Sequence, residues 1–275
     1  MINEIICGNS VEVMKTIEDN SIDMVMTSPP YDDIRDYNGF DLNLHNTGKE
    51  VYRILKPGGV AVMVMQDAVK QYAKSLTTFK TIIDWCDNIG FKLFDTIIYN
   101  RRGVWAWSHH FRLDHEYMPV FLKGERPLYF NKEPLKVPSK SAGKTFTGST
   151  SFRKDGSRLD SKTVVTKPMK CRGTIWEYQV GWGEEGSKSK IKREHPATFP
   201  DMLPYDFIEC FCPPGGIVLD PFVGSGTTCV AAISLDRNWI GIDISEEYCR
   251  IARERVENDV IIRKGESKTI FPFGL

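Results

Sequence analysis

The chain of 275 residues lacks a net charge, with 36 Lys and Arg against 36 Asp and Glu. An even basic coat is thereby excluded, so a polyanionic partner must be met by a local patch. No run reaches the roughly 20 apolar residues that a membrane-spanning helix needs, and no apolar amino-terminal signal is present. Both absences point to a cytoplasmic protein with no membrane partner. Cysteine is sparse, seven in all at irregular spacings, which suits a reducing compartment and provides no disulfide framework. Cys210 and Cys212 stand too close to form half of a zinc knuckle, and no second pair completes a ligand set. They read as buried thiols on a helix, and no metal is expected.

Apolar runs and helical spacings alternate along the rest of the chain. Glu4 to Cys7 reads as a strand, and after the turn Gly8-Asn9-Ser10, Ser10 caps a helix reaching about Ile17. A strand from Ile22 to Met26 and a polar loop from Asp32 to Gly48 follow. A helix from Lys49 to Leu55 is then stopped by Lys56-Pro57-Gly58-Gly59, ahead of a buried strand from Val60 to Met65. Tyr72 to Ile89 carries helical spacing, and Phe91 to Tyr99 and Tyr117 to Leu122 read as strands. Beyond His195-Pro196, a helix from Pro200 to Phe211 precedes the strand Ile217 to Leu219, the helix Thr227 to Leu235 and the strand Trp239 to Ile242. Strands alternating with helices predict an α/β sheet.

The strongest motif is Asp220-Pro221-Phe222-Val223-Gly224-Ser225-Gly226-Thr227-Thr228, set between a strand and a helix. Gly224 and Gly226 allow a tight turn and close backbone approach by a ligand at the helix start. Asp243 ends the next strand, 17 residues after Gly226, where α/β cofactor sites place an acceptor for ribose hydroxyls. The loop lacks the lysine of a phosphate-binding NTPase loop, because Thr227-Thr228 follow Gly226 directly. It also lacks the third glycine of a dinucleotide site; Cys229 stands there, and its side chain hinders close helix packing. S-adenosylmethionine has a ribose diol and no phosphate, and needs neither.

Thr27-Ser28-Pro29-Pro30-Tyr31 leaves the second strand as a stiff lip. Proline fixes its own backbone angle and holds the preceding residue extended, so the local carbonyls point outward. The Ser28 hydroxyl, those carbonyls and the Tyr31 ring suit a planar ligand bearing an amino group, such as a nucleobase. Taken alone, Pro-Pro is also ordinary loop punctuation.

Arg126 to Glu194 carries 16 Lys and Arg against 7 Asp and Glu. The segment is rich in Ser, Thr, Gly and Pro, and interleaves Tyr129, Phe130, Phe146, Phe152, Trp176, Tyr178 and Trp182 with its cations. A nucleic-acid surface and a solvated insertion both fit that composition. A core does not.

Together, Thr27 to Tyr31 and Asp220 to Thr228 resemble the catalytic and cofactor motifs of amino-group DNA methyltransferases. The order of catalytic motif, basic variable segment and cofactor motif is similar to the β class of these enzymes over almost the whole chain. The resemblance implies an α/β, Rossmann-like fold: a seven-stranded, mostly parallel sheet with one antiparallel strand and a circularly permuted motif order. Residues 1–125 would form the catalytic half, 126–194 an inserted target-recognition region and 195–275 the cofactor half. The sheet would be built from Met1 to Lys123 and His195 to about Val260. Ser28, Pro29, Pro30 and Tyr31 take the catalytic roles. S-adenosylmethionine would be held by Asp220, Phe222, Gly224, Ser225, Gly226, Thr227 and Asp243. His195, Phe199 and Pro200 of an additional motif would join them, as would Asn9, which stands where the family often has Asp. The implied substrate is double-stranded DNA, and a cognate restriction endonuclease is left open as a companion.

The implied chemistry starts from an exocyclic amine whose lone pair is delocalised into the base. Hydrogen bonds to the Ser28 hydroxyl and the Pro29 carbonyl would pull the nitrogen toward tetrahedral geometry and free the pair to attack a sulfonium methyl. No strong base is needed, because the methylated nitrogen is acidic. The base must leave the duplex, with Tyr31 as its stacking face. No Pro-Cys dipeptide occurs, which excludes the cysteine-dependent route to ring-carbon methylation. The family's cytosine enzymes typically carry Ser at the position of Ser28 and its adenine enzymes Asp or Asn. Cytosine N4 is therefore favoured, with adenine N6 as the alternative and a non-catalytic DNA-binding relic as the rival from another class.

Overall fold

The computed structural model describes residues 2–30, 43–102, 111, 113–148, 152–157, 162–179 and 200–258. Eight strands form one sheet: β1 (Glu4–Cys7), β2 (Ile22–Thr27), β3 (Leu55–Met63), β4 (Lys92–Arg102), β5 (His115–Leu122), β6 (Ile175–Gln179), β7 (Ile217–Asp220) and β8 (Asn238–Asp243). Their spatial order is β1-β8-β7-β2-β3-β5-β4-β6. Within the sheet β5 runs antiparallel to both neighbours, and the other pairings are parallel. Helices are α1 (Ser10–Met14), α2 (Leu44–Ile54), α3 (Thr77–Asp84), α4 (Met202–Phe211), α5 (Thr227–Ser234) and α6 (Glu246–Asn258).

The core on one sheet face gathers Met14, Val51, Ile54 and Trp85 with Val25, Ala61, Met63, Leu219, Ile240 and Ile242. Met24, Met26, Val60, Val62 and Val218 alternate with these strand residues and are equally buried. Both faces are therefore covered, as parallel strands with no polar alternation require.

The sheet has one strand more than the seven expected, and that strand comes from the cation-rich segment. In β6 the exposed Ile175 and Glu177 alternate with buried Trp176 and half-buried Tyr178. Trp176 packs on Phe207 with ring centroids 4.6 Å apart, and the Tyr178 hydroxyl donates to Asp206 Oδ2 at 2.8 Å. These two aromatics serve the sheet, because a period of two places one face of the strand on α4 and leaves Ile175 and Glu177 exposed on the other.

Among the element boundaries that differ from the sequence reading, four have a clear local cause. Asn9 caps α1 in place of Ser10: its Oδ1 accepts the N–H groups of Val11 at 3.0 Å and Glu12 at 3.3 Å. Helix α2 begins inside the expected polar loop, at Leu44, where Asn43 Oδ1 accepts the Asn46 N–H at 2.9 Å. Lys56 to Gly59 lie within β3. Gly58 has φ +85°, and a Cβ there would meet the Leu128 nitrogen at 2.7 Å. Its N–H donates to Lys123 O at 2.6 Å and its carbonyl accepts from Leu128 N at 2.8 Å, so glycine lets two backbones touch without ending the strand. Helix α3 starts at Thr77, because Ala73–Lys74 pairs with Val69–Lys70; Asp67 Oδ1 then accepts the Thr78 N–H at 2.8 Å.

Lys132–Gly173 forms a second compact unit. In it Thr145–Gly148 pairs antiparallel with Lys162–Val165, and Lys136–Pro138 with Met169–Cys171. Every residue of the first pair is exposed, Phe146, Val164 and Val165 included. The unit's sequence holds eleven Lys and Arg against three Asp and Glu. Cys210 lies buried on α4 and Cys212 is buried just past its end. Among the described residues no helix is long and apolar enough to cross a membrane.

Candidate active site

β2 and β7 are parallel neighbours, so the lip and the glycine loop leave the sheet side by side at the carboxyl ends. Asp220 joins them. Its Oδ1 accepts the Thr27 hydroxyl at 2.6 Å and the Phe222 N–H at 3.1 Å, and its Oδ2 accepts the Thr228 hydroxyl at 2.6 Å. Burial pushes this carboxyl up to about 6, against the opposing pull of those three donors. The chain's own groups thus claim both oxygens of a side chain read from sequence as a cofactor contact.

The glycine loop is built for close approach. Gly224 and Gly226 have φ of +49° and +84°, and a Cβ on Gly226 would meet Ala252 Cα of α6 at 3.1 Å. Asp243, at the end of β8, accepts the Gly224 N–H at 2.9 Å through Oδ2 and the Ser245 N–H at 2.9 Å through Oδ1. Burial raises its carboxyl above the ordinary range while these backbone donors hold it down. Each oxygen keeps further lone-pair capacity, and the side chain is half-buried. A ribose diol therefore has an acceptor there. Asn9 stands next to this strand end, because Gly8 N–H donates to the Asp243 carbonyl at 2.8 Å; its own amide oxygen is engaged in capping α1.

Behind the loop lies Arg255 of α6, fully buried. Its Nη1 donates to Ser225 O at 2.9 Å, Ser225 Oγ at 3.1 Å and Thr227 Oγ1 at 2.9 Å, and its Nη2 pairs with Asp201 Oδ1 at 3.4 Å. Asp201 follows the buried Pro200 at the start of α4, so one guanidinium ties the start of that helix to the glycine loop. The sequence reading missed Arg255 and Asp201. A signal existed: Arg255 follows Cys249 and Ala252 at three-residue intervals on the buried side of α6, an odd place for a cation.

On the lip, Ser28 and Pro30 are half-buried and Pro29 is buried. Thr27 O accepts the Val64 N–H at 2.8 Å, which anchors the lip on its β3 side. Tyr31, His195 and Phe199 lie outside the described residues.

Two motifs 193 residues apart, joined through one buried carboxylate, frame the comparison with known proteins. Residues 22–254 match the DNA methylase family of N6 and N4 methyltransferases. The chain belongs to this family. It is 34% identical to the orphan methyltransferase M.BamHII of Bacillus amyloliquefaciens over 91% of this chain and 94% of that protein. It is 27% identical to the DNA adenine methyltransferase YhdJ of Escherichia coli, covering 92% of this chain and 82% of that one. In fold, this DNA methylase superposes on PvuII DNA methyltransferase (cytosine-N4-specific) with a TM-score of 0.70. That match has 21% identity and covers 96% of this chain and 87% of the other.

Proposed function

We propose that this DNA methylase modifies the N4 amino group of cytosine in duplex DNA. S-adenosylmethionine is the methyl donor, and when bound it supplies an electrophilic sulfonium methyl. The residues present fit it: a positive-φ glycine loop backed by Arg255, and a half-buried Asp243 with acceptor capacity for a ribose diol. No lysine or third glycine calls for a phosphate there.

The observation that carries the reading is Ser28, one peptide bond from a threonine that is itself bonded to the glycine-loop carboxylate. Ser28 and the Pro29 carbonyl would accept the two amine hydrogens and turn the nitrogen lone pair out of the ring plane. Ser28 would then receive or pass on the proton that the methylated nitrogen releases. Tyr31 would provide the stacking face for the flipped base. The compact cationic unit Lys132–Gly173, with its exposed apolar side chains, supports the target-recognition role.

Relatives named for adenine and for cytosine-N4 both occur, so the choice of base rests on serine at position 28, with adenine N6 as the second reading. The test is to methylate duplex DNA with the purified protein and S-adenosylmethionine, digest it to nucleosides and identify the product by mass. N4-methylcytosine is expected. N6-methyladenine would overturn the base assignment, and neither product from a protein that binds DNA but not the cofactor would identify a relic.

A further inference from the structure

The paired register between β2 and β7 covers Met24 with Val218 and Val25 with Leu219. Beyond those pairs each strand runs on toward its own loop, and side chains take over the junction. The Thr27 hydroxyl reaches Asp220 Oδ1 at 2.6 Å, and the Thr228 hydroxyl reaches Oδ2 at 2.6 Å while lying 3.4 Å from the Met26 carbonyl. All three residues are at most 2% exposed, so water does not substitute for these bonds. The Phe222 N–H shares Oδ1 with Thr27 at 3.1 Å, which couples a shift of the lip to the first turn of the cofactor loop.

We propose that Thr27 is a positioning residue for methyl transfer: its hydroxyl, acting through Asp220, sets the separation between the amine-accepting lip and the glycine loop. The proposal rests on the methyltransferase reading above. Ser28 follows Thr27 by one peptide bond, and Pro29 and Pro30 make that connection stiff. Movement of Thr27 therefore carries the Ser28 hydroxyl and the Pro29 carbonyl as a unit. Two bound reactants must approach to near-contact distance, and a misplacement of about 1 Å costs roughly 10²-fold in rate. A bond that fixes the relative position of the two loops then acts on the rate with little effect on the affinity of either ligand. Valine has the shape of threonine without the donor; serine keeps the donor.

The experiment compares wild type, Thr27→Val and Thr27→Ser by single-turnover methyl transfer to duplex DNA, by titration with S-adenosylmethionine and with DNA, and by amide hydrogen exchange. Thr27→Val is expected to slow transfer roughly 10- to 100-fold while both dissociation constants stay within about threefold of wild type. Thr27→Ser should retain a near-wild-type rate, and the Phe222 amide should exchange faster in Thr27→Val alone. A wild-type rate in Thr27→Val, a loss of cofactor affinity proportional to its loss of rate, or a serine variant as slow as the valine one would overturn the proposal. If the wild type binds the cofactor and methylates no DNA, it is the methyltransferase reading that fails. Exchange at Phe222 then still decides the coupling, with an unchanged rate counting against it. Should Thr27→Val not fold, Thr27→Cys takes its place as a weak donor of similar size, with an intermediate slowing expected and a wild-type rate overturning the idea.

Discussion

Arg255→Met removes a guanidinium while keeping most of its apolar stem, at a site with no solvent to compensate. The side chains of Arg255 and Asp201 are both fully buried, so the substitution removes one charge of an ion pair that has no solvent around it. Breaking a buried pair from one side costs roughly 3–5 kcal/mol. At about 2–4 °C per kcal/mol for a chain of this size, the melting temperature should fall by roughly 6–20 °C. The glycine loop also loses its donors to Ser225 O, Ser225 Oγ and Thr227 Oγ1, so S-adenosylmethionine affinity should fall as well. The double variant Arg255→Met with Asp201→Leu separates the two effects. With both charges gone, much of the stability should return, because an apolar pair of similar volume replaces a buried ion pair at little net cost. Cofactor affinity should stay low, since the loop remains without its donors. Calorimetric melting and titration with the cofactor read both quantities. A double variant that binds as wild type does would show that Arg255 acts on stability alone. A single variant that loses less than about 1 kcal/mol would refute the assignment of a desolvated pair.

Asp243→Ala should weaken S-adenosylmethionine binding by about 1.5–3 kcal/mol, the usual contribution of hydrogen bonds to a charged acceptor, with the transfer rate largely recovered at saturating cofactor; an unchanged dissociation constant would remove Asp243 from the site. Asp220 gives a pH signature. Its carboxyl sits at about 6 in the fold against an ordinary 3.8, so between those values the folded protein holds a proton that the unfolded chain has released. This group alone therefore makes stability fall as pH rises through that window, and it contributes no further change above about 6. Asp220→Asn should flatten that component, roughly 3 kcal/mol in size, in denaturant titrations across the same pH range. DNA affinity should fall with salt at a logarithmic slope of about −0.9 per phosphate contacted by the Lys132–Gly173 unit. Paired Lys-to-Ala substitutions there should flatten the slope and spare cofactor binding, and an unaltered slope would move the DNA surface elsewhere.

Much of the carboxyl-terminal part of the sheet was legible in the sequence. Ile217 to Leu219 and Trp239 to Ile242 are short apolar runs closed by aspartates, and the folded strands are Ile217–Asp220 and Asn238–Asp243. Such runs are read reliably because both faces of a parallel strand are buried. β6 was hidden by its neighbourhood: five residues with one good alternation, inside a stretch whose average is cationic. Pro57-Gly58-Gly59 misled in the opposite direction. Its stop signal is real in isolation, but contact with the Lys123 to Leu128 backbone outweighs it. The bond between Thr27 and Asp220 was not legible at all. A hydroxyl's partner depends on tertiary approach, and local sequence carries no record of it.

The separation of the two motifs along the chain has a consequence for synthesis. β2 lies between β3 and β7, and all six of its residues are buried. Its β3 partner follows within a few seconds of translation, but its β7 partner lies nearly 200 residues downstream. At roughly 5–20 residues per second, the nascent chain carries β2 as an uncovered apolar edge for roughly 10–40 s. Such an edge is a template for pairing with another chain. Ribosomes that stall or terminate before Ile217 should therefore release aggregation-prone fragments, and the yield of this protein should depend on chaperone supply more steeply than that of a methyltransferase whose cofactor strands are translated first.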